Sequence, residues 1–118
     1  MVTMSRVVSV HEYTLAAGVD SAAFERAVAE AERRGLFDLP GLVEYRFLEG
    51  LRGDHRDSYA ALWIYESREA WEELWGAPGA PIEADEYPER WLTWENELLA
   101  PLLDCDPDDI AFTSYEEL

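Results

Sequence analysis

The chain has no lysine and only one cysteine, Cys105. A lone cysteine forbids an intrachain disulfide and cannot build a cysteine-based metal site. Positive charge is scarce too: nine arginines stand against 26 Asp and Glu, giving a formal net charge of −17. A field of that sign repels phosphate backbones and anionic lipid, so neither nucleic acid nor a membrane surface is an expected partner. No apolar run approaches the length of a membrane span. The segment after Met1 carries Arg6, Ser9, His11 and Glu12 where a signal peptide needs an apolar stretch, so a cytoplasmic location is expected. Histidine is rare as well. His11, His55 and Cys105 show no metal-ligand spacing, and nothing favours either histidine as a haem ligand, so no cofactor or metal is expected. The run DCDPDD (residues 104–109) is acidic like a calcium loop but lacks its oxygen spacing, its glycine and its closing Glu. Cys105, between Asp104 and Asp106, is a poor thiolate.

What the chain does have is aromatic bulk. Five Trp, six Tyr and four Phe in 118 residues imply large buried surfaces or a ligand cavity within a single domain. The densest stretch, SYAALWIYESREAWEELW from Ser58 to Trp75, changes period in its middle. Through Tyr65 the large residues alternate, with Tyr59, Ala61, Trp63 and Tyr65 on one side and Ala60, Leu62 and Ile64 on the other. After Ser67 the spacing becomes helical: Ser67 is placed to cap, Ala70, Trp71, Leu74 and Trp75 form a stripe, and Gly76 ends it. A strand apolar on both faces needs a cover on each, and helices supply only one.

Around this strand–helix unit the other elements fall in order. Arg6 to Leu15 alternates as a first strand; Asp20 or Ser21 caps a helix with Phe24, Ala27, Val28 and Ala31 inside, closed at Gly35. Leu42 to Glu49 reads as a second strand, and GLRGDHRD (50–57) as the hairpin into the third. Residues 77–88, with three prolines, read as a surface loop. Pro88 to Leu103 returns to helical spacing, with a break expected near Ala100 because Pro101 inside a helix costs about 3 kcal/mol. Ile110 to Tyr115 has the makeup of a short last strand. The expected fold is α+β, a ferredoxin-like βαββαβ with an antiparallel four-stranded sheet and an extra helix before the last strand.

The opening strand with LAAGVD, the LPGLVEYRFLEG segment, the glycine-bearing hairpin and LWIYESREAWEELW together resemble the dimeric α/β-barrel superfamily, particularly its antibiotic-biosynthesis-monooxygenase-like branch. The triplet Tyr65, Glu66, Ser67 followed by Glu69 and Ala70 matches the end of that branch's third strand, with Tyr65 where Trp is commoner and Trp63 two residues earlier. The resemblance implies a homodimer in which two sheets meet face to face, the partner's sheet being the second cover of strand three. Members of the superfamily include cofactor-independent oxygenases of polyketide-like aromatics, haem-degrading enzymes and isomerases, so the fold alone does not choose a function.

Face assignment gives the candidate site. Val8, Val10, Ala60, Leu62 and Ile64 suit the helix side, which sends Ser9, His11, Tyr13, Tyr59, Trp63 and Tyr65 to the barrel side. Strand two is open: either Val43, Tyr45 and Phe47 or Glu44, Arg46 and Leu48 face inward, and if the apolar set packs on the helices, Arg46 joins His11. His11 is the candidate for proton transfer and Arg46 for holding an oxyanion. On the third helix Glu95 falls inside the apolar arc, flanked by Trp91 and Trp94; it is either a base or ligand anchor at a cavity mouth, or one half of an ion pair with an Arg. Two readings stand side by side. One is a dimer binding a small apolar or aromatic molecule, with cofactor-free monooxygenase-like chemistry; the other is a non-catalytic dimer whose aromatic face is only interface.

Overall fold

The structure, a computed structural model, describes residues 5–118. Strand β1 (Val7–Tyr13) leads into helix α1 (Ser21–Arg33), strands β2 (Leu42–Glu49) and β3 (Tyr59–Tyr65), and helix α2 (Arg68–Trp75). A small ribbon follows, β4 (Gly76–Ala77) with β5 (Ala80–Pro81), then α3 (Glu89–Thr93) and finally β6 (Ala111–Glu116). The four long strands form one antiparallel sheet in the order β2-β3-β1-β6, the ferredoxin-like arrangement expected. No helix among the described residues is long and apolar enough to cross a membrane.

Local chemistry sets the element ends. Asp20 caps α1 by accepting from the Ala23 amide at 2.9 Å, and Ser67 caps α2 by accepting from Ala70 at 3.1 Å. In the β2–β3 hairpin a Cβ on Gly50 would stand 2.0 Å from the His55 carbonyl oxygen, so the turn closes only over glycine. The stretch expected to be plain loop after α2 carries the β4–β5 ribbon and a short 3-10 turn (Ala84–Glu86), which deliver Tyr87 against Trp75.

The segment from Glu89 winds in three ways. It starts as α3, widens into a π-helix over Trp94–Leu99, and tightens into a 3-10 turn over Ala100–Leu102 that contains Pro101. Proline cannot donate to the Glu97 carbonyl and its ring presses on it, which accounts for the expected break at Ala100; the wider turn just before it relieves that crowding. A π turn rotates less per residue than an α turn, so the consecutive Trp94 and Glu95 both point inward with Leu99.

The assignment of sheet faces is the reverse of the expected one. Tyr13, Tyr59, Ala61, Trp63 and Tyr65 are buried under the chain's own helices with Ser9, whereas Val8, Val10, Ala60, Leu62 and Ile64 lie half-buried on the open face. The cause is volume. α1 buries only Phe24 and two alanines, and α2 fully buries none of its residues, so the helices alone leave a deep gap above the sheet. Large rings from the strands and Trp91, Trp94, Leu99 and Leu103 from the last helical segment fill it. On β2 the apolar alternative holds for Tyr45 and Phe47, which pair across to Trp63 and Ala61, while a bulge between Leu42 and Glu44 turns Val43 out.

Candidate functional site

The centre of the covered face is Trp63, with no exposed surface, standing on β3 beneath α3. Rings surround it: Trp91 at 5.0 Å between centroids, Phe37 at 5.2 Å, Phe47 at 5.5 Å, Tyr45 at 5.8 Å and His11 at 6.0 Å. His11 also meets Trp91 at 5.8 Å and Phe112 at 5.7 Å, so the imidazole lies in an aromatic enclosure. Desolvation there lowers its pKa to about 4, which keeps it neutral at ordinary pH and leaves it a weak base.

Four buried polar atoms in this layer have no hydrogen-bond partner among the described residues: His11 Nδ1, the Tyr13 hydroxyl, Trp63 Nε1 and Trp94 Nε1. Burial pushes the Tyr13 hydroxyl far above its ordinary range, as does the nearby Glu95 carboxyl. The indole N–H groups of Trp63 and Trp94 pull the other way, so all three groups stand around one point, yet no hydrogen bond of accepted geometry closes between them. Tyr65 is likewise raised by burial, with the Trp75 indole opposing.

Glu95 comes from the π turn and is 6% exposed. Burial first, then the negative charges of Asp108 and Asp106, push its pKa up to about 8, with the Trp91 indole opposing. The ion pair with an arginine that would have made this carboxylate ordinary is absent among the described residues. Arg34 pairs with Glu97 and Glu30, Arg33 with Glu30, Arg46 with Glu44, Arg68 with Glu72 and Glu116, and Arg90 with Asp38.

The sheet thus brings together His11, Tyr13, Trp63, Trp91, Trp94 and Glu95, on its helix side. Tyr65 stands at the end beside Trp75, and Tyr59 at the other end, stacked on Phe24 at 4.6 Å. Arg46 does not join them. Its register partner is Leu62, so it belongs to the open face, where it is exposed and pairs with Glu44. His55 is exposed in the hairpin, 3.2 Å from Glu12. The sequence reading passed over Phe37, Phe47, Trp75 and Tyr87 as site residues. Phe37 and Tyr87 lie in turns, where periodicity carries no information about facing.

Two open clefts lie elsewhere. One of about 340 Å³ runs beside β2 between Glu32 and Arg46, and one of about 190 Å³ lies between α1 and Tyr59. Exposed charged groups, Glu32 and Arg46 in the first and Glu25 and Glu32 in the second, are part of their walls, so they are surface grooves; the partnerless polar groups are in the closed layer. No group of three or more His, Cys, Asp or Glu is placed to hold a metal ion among the described residues.

The fold and this layer define the class: an α+β protein with the ferredoxin-like fold and an aromatic layer between sheet and helices. Among solved structures the chain is similar to SnoaB, a cofactor-independent oxygenase from Streptomyces nogalater (19% identity, TM-score 0.56, 94% of this chain and 91% of that one). It is also similar to a putative antibiotic biosynthesis monooxygenase from Bordetella bronchiseptica (13%, TM-score 0.62, 97% and 98%). A third is a dimeric ferredoxin-like protein of unknown function from Thermobifida fusca (11%, TM-score 0.60, 98% and 94%). No protein-family profile and no curated protein matches the sequence.

Proposed function

We propose that the layer between the sheet and the π turn binds a small, largely apolar or aromatic molecule, in a homodimer, and that its chemistry is monooxygenase-like and cofactor-independent. The observation that carries this reading is that four buried polar atoms lie partnerless inside a shell of rings, three of them, the Tyr13 hydroxyl and the Trp63 and Trp94 indole N–H groups, around one point. Each such atom costs about 1–3 kcal/mol when left unpaired, and a planar ligand with a ring oxygen answers both features at once. Trp63 and Trp91 offer ring faces and edges; the Tyr13 hydroxyl and the Trp63 and Trp94 indole N–H groups are donors for a ligand oxygen that gains negative charge. Glu95, with its pKa near 8, is better matched to proton transfer at neutral pH than His11 near 4. Removing a proton from a phenol or an acidic ring carbon leaves an electron-rich ring, the kind of species that reduces dioxygen directly. The similarity in fold to SnoaB supports the reaction class.

The open face supports the dimer: there Val8, Val10, Leu62 and Ile64 form a half-buried apolar sheet surface with Leu48 and Tyr115 more exposed beside it. A second copy of the same face is its natural cover, as two sheets pack about 10 Å apart. The dimeric state of the Thermobifida fusca protein supports that choice.

Quenching of tryptophan fluorescence by naphthol, a soluble fused-ring phenol, tests the layer. Trp63→Phe keeps an aromatic ring but removes one donor, and the expected loss of affinity is about tenfold. Quenching that is absent at millimolar naphthol, or unchanged in the variant, refutes the site. One observation favours the second reading, a non-catalytic dimer: the layer is closed by its own side chains, and the two clefts reach only its rim, at Phe37 and Tyr45 and at Phe24, Phe47 and Tyr59.

A further inference from the structure

We propose that the seam between α1 and the outer strand β2 docks a short extended segment of another protein, one that carries arginine or lysine side chains between apolar ones. This surface is separate from the closed layer, and the inference stands whether or not that layer takes a ligand. The two open clefts, about 340 Å³ and about 190 Å³, follow one another along β2 and share Glu32 in their walls. The first lies against Leu42 to Arg46 and the second against Phe47 and Leu48, so together they form one groove roughly 20 Å long. Its floor is apolar, with Phe37 and Tyr45 at one end and Val28, Phe47 and Tyr59 at the other.

The rim of the groove is acidic. Glu25, Ala29 and Glu32 stand at i, i+4 and i+7 on α1, a single stripe along the helix. Both carboxylates are exposed, and neither has an ion pair among the described residues. Glu32 accepts a hydrogen bond from the Tyr45 hydroxyl at 2.7 Å. Arg46, the cation among the lining residues, is already held by Glu44. The groove therefore keeps two unanswered negative charges over an apolar floor, in a chain whose net charge of −17 draws cations toward it. A second copy, with nine arginines and no lysine, is the poorer occupant. Strand addition is not what holds the segment, because the bulge between Leu42 and Glu44 interrupts the outer ladder and turns Val43 into the groove wall. Side chains hold it. In an extended segment alternate residues face the floor, and the long cationic side chains between them reach back to the rim.

The test is fluorescence anisotropy of a labelled, end-capped pentapeptide, Leu-Arg-Leu-Arg-Leu, titrated with the full chain at about 0.1 M salt, where charges beyond about 10 Å are screened. Saturation below about 1 mM chain is expected. The affinity should exceed that for Leu-Gln-Leu-Gln-Leu, which lacks the charge, and for Gly-Arg-Gly-Arg-Gly, which lacks the apolar side chains, by about fivefold each. Glu25→Gln combined with Glu32→Gln lowers it about tenfold. Glu69→Gln combined with Glu73→Gln, the same change of charge at exposed positions of α2, lowers it less than about twofold. Ala29→Arg, at an exposed helical position where the fold is kept, plugs the groove and abolishes binding. No saturation, equal affinity for either control peptide, an equal loss in the α2 variant, or binding that survives Ala29→Arg overturns the inference. A naphthol titration that fails beside a peptide titration that succeeds refutes the layer and leaves the groove standing, and the reverse outcome refutes the groove alone.

Discussion

The two faces of the sheet are made by the same four strands, residue by alternate residue, and yet are opposite in kind. The covered face carries Tyr13, Tyr59, Trp63 and Tyr65, buried to 8% exposure or less, with polar atoms trapped among them. The open face carries Val8, Val10, Leu62 and Ile64, smaller and without polar atoms. Side-chain size on the covered face answers the helices above it: α1 buries little beyond Phe24 and two alanines and α2 fully buries none of its residues, so long rings fill the space, whereas the aliphatics of the open face have no helix of this chain over them.

Breaking the covered face has the largest expected effect. Trp63→Ala removes the ring that touches β2, α3 and His11, and a loss of about 3–5 kcal/mol is expected in urea denaturation, a large part of the total stability of a domain this size. A loss below about 1 kcal/mol shows that the layer is loosely packed and that the contrast between faces is false.

The open face comes next. Leu62→Glu puts a charge at the centre of the proposed sheet-to-sheet contact and is expected to weaken dimerisation by about a hundredfold or more, read by sedimentation velocity at micromolar concentration. The folded subunit keeps its circular dichroism, because Leu62 is already half-exposed in the isolated chain. A wild-type chain that sediments as a monomer removes the second layer altogether.

The smallest effect sharpens the electrostatics of the covered side. The folded pKa of Glu95, about 8, exceeds its ordinary 4.5, so the folded state keeps a proton that the unfolded chain releases. Its contribution to stability is complete below about pH 4.5 and is lost as pH rises through 8. His11 runs oppositely. Its pKa falls from 6.5 to about 4, so its contribution is complete above 6.5 and disappears as pH falls toward 4. Glu95→Gln flattens the alkaline side of a plot of denaturation midpoint against pH, and His11→Gln flattens the acid side. An alkaline limb that is unchanged in Glu95→Gln shows an ordinary, solvated carboxyl.

Strand alternation, the Ser67 and Asp20 caps and the hairpin glycines make the element order and the ferredoxin-like topology readable in the sequence. Those signals act within a few residues, and the backbone obeys them locally. The direction of each face was not readable, since parity says which residues share a side but not what lies above it. Glu95 showed itself through its place in an apolar arc; its freedom from arginine depended on where nine exposed side chains settle, which no period encodes. Arg46 lies away from the helices, as the apolar alternative for β2 implied; His11 and Trp63 were the misplaced ones, because one wrong choice of side moves every residue of its parity. The π turn was hidden because Pro101 announces a break but not how the preceding turn accommodates it.

The bulge between Leu42 and Glu44 lies on β2, the strand that ends the sheet on one side. An outer strand left straight offers a ladder of free amides and carbonyls to any passing chain. Here the kink interrupts that ladder near the start of β2, so of the sheet's two edge strands, β2 and β6, the first is the poorer template for an added strand.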